Sequence, residues 1–366
     1  MNTESYQVAV IKGDGIGTNV TEAALAVIDA AQSRVTGFTL KYKNIAAGAG
    51  HYKATGKDIE DGGEETAANA DAIFLGAIGL PSIRYKDGTE ISPHLRIRDQ
   101  FQLYAGVRPV RAYPNAPQRL ADPRAKEIDM VILRESTEGL FYTAAVHNRC
   151  PVETNDEVQE IMRITRPITE KLHDFAFKLT QKRKNRGGKG KLTCVDKANV
   201  FKSMAFFRQI FDERSVDFKD VKKTYSYVDA QALDFIRRPW DFDVLVMENM
   251  FGDILSDLAG GLVGGMGMAA CGEIGDKHGL FQPAHGSAPD IMGKNIANPL
   301  AAILSGSLML DYLAEKFDDQ ALADAANIIE DAVYNGFKAN AIRPIEFGGD
   351  MGTIEVTNEV ISRMKI

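Results

Sequence analysis

Two aspartates, Asp253 and Asp257, stand four residues apart in the segment NMFGDILSD that begins at Asn249. On a helix that spacing puts both carboxylates on one face, with Cβ atoms roughly 6 Å apart. Two such groups repel unless a positive charge lies between them, and a hard divalent cation with oxygen ligands is the natural filler. The competing reading is a helix start, where acidic residues are favoured without any ligand. A third acid, Asp229 in YVDAQ, matters only if the fold brings it close. Arginines recur at Arg96, Arg98, Arg108 and Arg111, and Arg134 closes the apolar run MVIL. Guanidinium forks grip carboxylates through two parallel hydrogen bonds. Several of them near a cation imply a substrate with two or three carboxylates; dispersed on a surface, they imply nothing. Lys197 in VDKAN follows another apolar run. It is either a structural lysine or an active-site lysine whose proton affinity burial and nearby cations lower. Glycine-rich segments complete the set: GDGIG from Gly13 to Gly17, GAIG from Gly76 to Gly79, and HGSAPDI from His285 to Ile291, with Asn298 beyond. GDGIG lacks the spacing of the dinucleotide fingerprint. Each segment is either a plain turn or part of a nucleotide loop.

The elements that must position these groups are legible as short apolar runs. Tyr6 to Ile11, Ala72 to Leu75, Met130 to Leu133, Leu192 to Val195 and Val244 to Met247 read as buried strands of a mostly parallel sheet. Val20, Ala23, Ala24, Val27, Ile28 and Ala31 recur at helical spacing. Further helical patterns cover Val158 to Leu179, Phe201 to Arg214, Pro299 to Phe317 and Asp319 to Lys338. The alternation predicts an α/β protein with helices on both sheet faces. Arg134 then stands at the carboxyl end of a strand, the edge at which open α/β sheets collect ligands.

The composition narrows the function. The chain has 366 residues, 45% hydrophobic and 25% charged, with net charge −7. That is a globular composition, and the acidic balance argues against a nucleic-acid binder. The basic run Lys178 to Lys191 has no interleaved aromatics and reads as a solvated helix end and loop. No apolar stretch approaches the ~20 residues of a membrane span, and the N-terminus carries no secretory pattern, so a cytoplasmic location is expected. Cys150, Cys194 and Cys271 show no metal-type spacing and are expected to be reduced structural thiols.

Taken together, Arg98 to Pro109, RESTEG, VDKANV, NMFGDILSD and HGSAPDI with ANP resemble the isocitrate and isopropylmalate dehydrogenase family. The resemblance runs from GDGIG to FGGDMGT, nearly the whole chain. It implies an α/β sandwich distinct from the Rossmann fold. One domain, for the cofactor, would combine residues 1–103 and 264–366; residues 104–263 would form the substrate and dimerisation domain. It implies that Ser92, His94, Arg98, Arg108 and Arg134 contact substrate, and that Asp229, Asp253 and Asp257 hold Mg²⁺ or Mn²⁺. Lys197, with Asp229 and a tyrosine, would move protons. Lys197 and Asp229 would complete the neighbouring protomer's site, so a homodimer is expected, with pairing into tetramers left open. Gly76, Asn249, His285, Gly286, Ser287, Ala288, Asp290, Ile291 and Asn298 match cofactor-binding positions. An anion at Asp290 suits the ribose hydroxyls of NAD and repels the 2′-phosphate of NADP; NADP-preferring relatives carry Lys-Tyr where this chain has Asp290-Ile291. The implied reaction oxidises a 2-hydroxy acid at C2, releases CO₂ from the 2-keto acid and protonates C3.

Three departures bear on substrate and chemistry. The family's tyrosine, seven residues after Arg134, is replaced by Phe141, and Tyr142 is next to it. A one-residue bulge would deliver Tyr142; otherwise water or Lys197 must protonate C3, or decarboxylation is impaired. GDGIGTNV and Gln282 differ from the usual GDGIGPEV and Glu. The segment EISPHLRIR has Ser92 as isocitrate enzymes do, His94 in place of their Asn, and Leu95 beside it. It matches neither the isocitrate pattern nor the isopropylmalate pattern, and it lacks the Trp-containing loop of tartrate and D-malate relatives. A 3-substituted malate is the expected substrate class. Isocitrate or homoisocitrate, D-malate or tartrate, and a catalytically silent ligand sensor are the alternatives.

Overall fold

A computed structural model describes residues 4–145 and 152–365. The chain opens with β1 (Glu4–Gly13), α1 (Gly17–Arg34), β2 (Phe38–Asn44), α2 (Ala49–Thr55), α3 (Gly63–Ala68) and β3 (Ala72–Ala77). It continues through α4 (Pro93–Gln100), β4 (Ala105–Arg111), β5 (Asp129–Glu135), α5 (Phe141–Ala145), β6 (Val152–Glu153) and β7 (Val158–Gln159). The next stretch is α6 (Arg166–Asn185), β8 (Lys191–Asp196), α7 (Lys202–Arg214), β9 (Lys222–Tyr227), α8 (Val228–Arg237), β10 (Val244–Met247) and α9 (Asn249–Leu262). It ends with β11 (Ala270–Ile274), β12 (Gly279–Pro283), α10 (Leu300–Phe317), α11 (Gln320–Lys338) and α12 (Thr353–Arg363).

Ten strands form one sheet in the order β2-β1-β3-β12-β11-β4-β5-β10-β8-β9. Both wings are parallel, whereas β12–β11, β11–β4 and β4–β5 are antiparallel. The expected mostly parallel sheet is therefore seamed by an antiparallel centre, and Arg108 and Arg134 lie on that seam. The continuous apolar runs are strands buried on both faces, as parallel wings require. Helical period in α1 buries Val20, Ala23, Ala24, Val27, Ile28 and Ala31. That face packs with α10, α11 and α12 into a core holding Val8 and Val10 near one chain end and Val356 and Val360 near the other. Two further cores line opposite faces of the middle strands: Leu172, Phe177, Phe207 and Phe211 with β5, β8 and β10 on one, and Phe235, Leu255 and Ala259 on the other.

One predicted helix starts late. The pattern from Val158 becomes helical only at Arg166, with Thr165 as N-cap and Pro167 in the first turn. Proline is favoured there and disfavours helical backbone just before it. Val158 instead joins a two-stranded hairpin with β6 and is exposed. No helix among the described residues is long and apolar enough to cross a membrane. Cys194 and Cys271 are free and buried, and Cys150 lies outside the described residues.

Candidate active site

The central seam assembles the arginine cluster. The register sets Glu273 of β11 opposite Gly106 of β4, and Gly106 opposite Arg134 of β5. Arg108, two residues further along β4, points to the same face, and Arg98 reaches in from the end of α4. All three guanidinium groups are buried. Arg98 pairs with the fully buried Glu273 at 3.0 Å. Arg108 donates to the Ser256 hydroxyl at 2.8 Å. It lies 3.7 Å from both Asp253 and Asp257. Arg134 contacts the Asp253 carboxylate directly. Its Nε donates to Asn249 Oδ1 at 2.8 Å.

Asp253 and Asp257 do share one face of α9, but neither is in its first turn, and Glu248 is the N-cap, accepting from the Met250 and Phe251 amides. The helix-start reading of this pair therefore fails. Both side chains are half-exposed above the buried arginines. Burial pushes the Asp257 carboxyl above its ordinary range and Asp253 adds to the rise, with Arg108 opposing it. Two carboxylates facing outward in this way offer oxygen donors only, which suits a hard divalent ion. Among the described residues of one chain, no third His, Cys, Asp or Glu joins them. Asp229 is elsewhere, on α8, where it accepts from Lys197 Nζ at 2.5 Å, an ion pair that lowers its proton affinity. The VDKAN turn carrying Lys197 is held by the buried Asp196, which accepts from Arg208 at 2.7 and 2.8 Å and from the Ala198 amide at 2.8 Å.

Two of the five arginines leave the constellation. Arg96 pairs with Asp58 and Glu64. Arg111 stacks over Tyr113 and Tyr334 on the other face of the sheet. His94 belongs to the cluster: burial, and next the charge of Arg98, push its imidazole down to about 3, so it is neutral. Ser92 is the N-cap residue of α4, and its hydroxyl donates to the Glu90 carbonyl at 3.1 Å. The bulge that would deliver Tyr142 is not formed. The Phe141 ring lies against Arg134, 4.8 Å from the guanidinium carbon, while Tyr142 packs under Arg163 at 4.6 Å. Asn249, expected at the cofactor, lies beside Arg134. Its amide is taken up between Arg134 Nε and the Glu138 carbonyl, so it positions an arginine.

The glycine-rich segments converge. The Asp14 amide donates to the Ala77 carbonyl, and the Ile16 amide to the Ser287 carbonyl, both at 2.7 Å. Ser287 closes the triangle through its hydroxyl to the Gly79 carbonyl. The Asp14 carboxylate collects the amides of Ala49, Gly50 and Gly79 at 2.7 to 2.9 Å. Gly76 is required by close approach, since a Cβ there would lie 2.4 Å from the Lys12 carbonyl oxygen; it holds the loop rather than lining it. The loop itself is strained, with Ala288 at φ 35°. His285 Nε2 is buried without a partner, while Nδ1 faces the Gly286 carbonyl at 2.9 Å. Asp290 and Gly286 are exposed, and Ile291 packs against the first core. Asn298 is tied to Glu346 at 2.9 Å. An orphaned imidazole nitrogen and an exposed carboxylate fit an adenosine moiety. Sequence reasoning missed Asp14 and Glu273: each is a lone acid in a loop or strand, with no spacing to mark it.

The model of the isocitrate/isopropylmalate dehydrogenase family matches residues 7–362. A 3-isopropylmalate/3-methylmalate dehydrogenase of Methanocaldococcus jannaschii is 39% identical over 98% of this chain and 99% of its own length. A 3-isopropylmalate dehydrogenase of Aquifex aeolicus is 36% identical, covering 99% and 98%. Among solved structures, an isocitrate dehydrogenase from Methylococcus capsulatus superposes with a TM-score of 0.85 at 30% identity, covering 99% of this chain and all of that one (100%). A beta-decarboxylating dehydrogenase from Thermococcus kodakarensis gives 0.78 at 34% identity, covering 98% and 96%.

Proposed function

Since this chain belongs to the isocitrate/isopropylmalate dehydrogenase family and has its fold, we propose that it oxidises and decarboxylates a 3-substituted malate with NAD, assisted by Mg²⁺ or Mn²⁺. The observation that carries the reading is the meeting of Arg98, Arg108 and Arg134 beneath the two carboxylates of α9. Arg98, Arg108 and Arg134 hold the carboxylates of the acid. Asp253 and Asp257 hold a divalent ion, which when bound makes the 2-hydroxyl more acidic and draws off charge as CO₂ is lost. The loop from His285 to Ile291 would hold NAD, with Asp290 suited to its ribose hydroxyls, and NAD would supply the hydride acceptor for C2. Lys197 Nζ passes the hydroxyl proton toward Asp229, its hydrogen-bond partner. Phe141 has no hydroxyl to give, so C3 takes its proton from Lys197 or water.

In this reading the active unit is a homodimer. Lys197 and Asp229 of the partner subunit complete each site, which accounts for no third acid joining Asp253 and Asp257 among the described residues of one chain. Leu233 and Ile236 of α8 and Ile254 of α9 support it: these large apolar side chains are exposed on two helices that contact each other. The cofactor-binding half is taken to comprise residues 1–103 and 264–366, and the substrate half residues 104–263. A second reading, isocitrate, is favoured by Ser92 and by the likeness to the Methylococcus structure.

The test is NADH and CO₂ formation with Mn²⁺ across 3-isopropylmalate, 3-methylmalate, isocitrate, homoisocitrate, D-malate and tartrate. The expected result is turnover of a 3-alkylmalate, abolished by chelator and by Asp253→Asn. No NADH from any acid would overturn the reading.

A further inference from the structure

We propose that Glu273 is a specificity-determining residue. By sharing Arg98 with the substrate and cancelling its charge, it restricts the site to dicarboxylic acids whose 3-substituent is uncharged. This rests on the function proposed above and names the chemistry of the group that distinguishes one acid from another.

Glu273 has no solvent exposure. A buried carboxylate in apolar surroundings is unfavourable unless it is paired. Here the register creates the pairing. Glu273, Gly106 and Arg134 stand in a row across β11, β4 and β5, and Gly106 keeps the row open. A Cβ at Gly106 would come within 2.9 Å of Glu273 Oε2 and 2.6 Å of Ser136 Oγ. Into that opening Arg98 sends Nη2, 3.0 Å from Glu273 Oε1. Burial alone would push the Glu273 carboxyl up, but Arg98, Arg108 and Arg134 outweigh it and hold it below the usual carboxylate range. The group is therefore a fixed negative charge on the floor of the substrate site.

Counting charges gives the selectivity. Three guanidinium groups face three carboxylates, those of Glu273, Asp253 and Asp257. Lys197 and Asp229 cancel each other. A divalent ion then leaves two positive charges unmatched, the number a dicarboxylate supplies. A third carboxylate on C3 would enter the buried cluster with no cation assigned to it. His94, the residue at the specificity position, cannot take that part, because burial against Arg98 keeps it neutral. Specificity here comes from a repulsive element as much as from an attractive one.

The experiment is titration calorimetry on the full chain with Mn²⁺ and no NAD, so that binding is read without turnover. 3-Isopropylmalate and isocitrate are compared, and kcat and KM are measured separately for each. The wild type is expected to bind the isopropyl acid about 100-fold more tightly, the upper scale of the penalty for leaving one buried polar group unsatisfied. Glu273→Gln, which keeps shape, is expected to narrow that preference about tenfold or more, through isocitrate binding and a KM for isocitrate that moves more than its kcat. Glu273→Asp should restore the preference. Equal binding of the two acids by the wild type, which needs no variant, would overturn the proposal. So would an unchanged preference in a folded Glu273→Gln protein. Binding of neither acid would instead remove the function on which the proposal rests.

Discussion

Arg134 shows how tightly one side chain can be specified by its neighbours. Asn249 takes its Nε, Asp253 its terminal nitrogen, and Phe141 its face. Gly252 of α9 lies against its stem, where a Cβ would come 2.6 Å from Arg134 Cβ and 2.7 Å from Cγ. Gly252→Ala is therefore expected to displace the guanidinium and lower kcat/KM roughly 10²-fold, the cost of an angstrom's misplacement. Steady-state kinetics on a protein of unchanged circular dichroism would check this. Phe141→Tyr adds a hydroxyl beside the same arginine. We expect it to speed C3 protonation and raise kcat, with CO₂ and NADH rising together; Tyr142→Phe should leave kcat unchanged. Both are read by parallel gas and absorbance assays. At this level the sequence is informative where spacing encodes geometry, as with Asp253 and Asp257. It is silent where residue type alone must decide. Arg96 and Arg111 are indistinguishable by type from Arg98 and Arg108, yet one is tied to Asp58 and the other stacks on tyrosines across the sheet. Nothing marked Glu273 either, because its meaning depends on which residues β11 finds on β4 and β5.

The packing of α6 on α7 carries a pH dependence of its own. His173 of α6 is fully buried between the rings of Phe207 and Phe211, with Nε2 3.1 Å from the Phe207 carbonyl oxygen. Burial pushes its imidazole down to about 3. In the unfolded chain a histidine takes its proton near 6.5. Between pH 6.5 and 3 the unfolded state thus binds the extra proton, so stability is present above that window and falls as the solution is acidified through it. The slope is up to about 1.4 kcal/mol per pH unit for this one group. His94 adds a slope of the same sign. His173→Phe should flatten the fall in melting temperature between pH 6.5 and 5, measured by thermal denaturation across buffers. An undiminished slope in the variant would count against this assignment. Elements of this kind are largely readable beforehand, since α1, α7, α10 and α11 follow their apolar period. The late start of α6 was not, because its period extends back past Pro167, which the backbone cannot follow. Nor was the antiparallel seam legible, for β4, β11 and β12 carry no composition that tells a parallel neighbour from an antiparallel one.

For the assembled enzyme, the shared-site reading makes a quantitative statement. Asp253→Asn and Lys197→Met chains should each be inactive alone. Mixed and allowed to exchange, they should recover about a quarter of wild-type activity, because half the dimers would then hold one intact site. Recovery of none, with exchange shown by mass spectrometry, would mean that each chain builds its site alone. The acidic composition argues against nucleic acid as a partner, but no feature of the sequence alone exposes the apolar side chains of α8 and α9, which come together only once those helices pack. The first core has a different consequence, one of timing. It joins Val8 and Val10 to Val356 and Val360, so it cannot close until almost the whole chain has left the ribosome. The cores built on Phe177 and Phe235 draw on residues between 104 and 274 and can be buried earlier. The middle of this protein is thus set to fold while its beginning waits for its end.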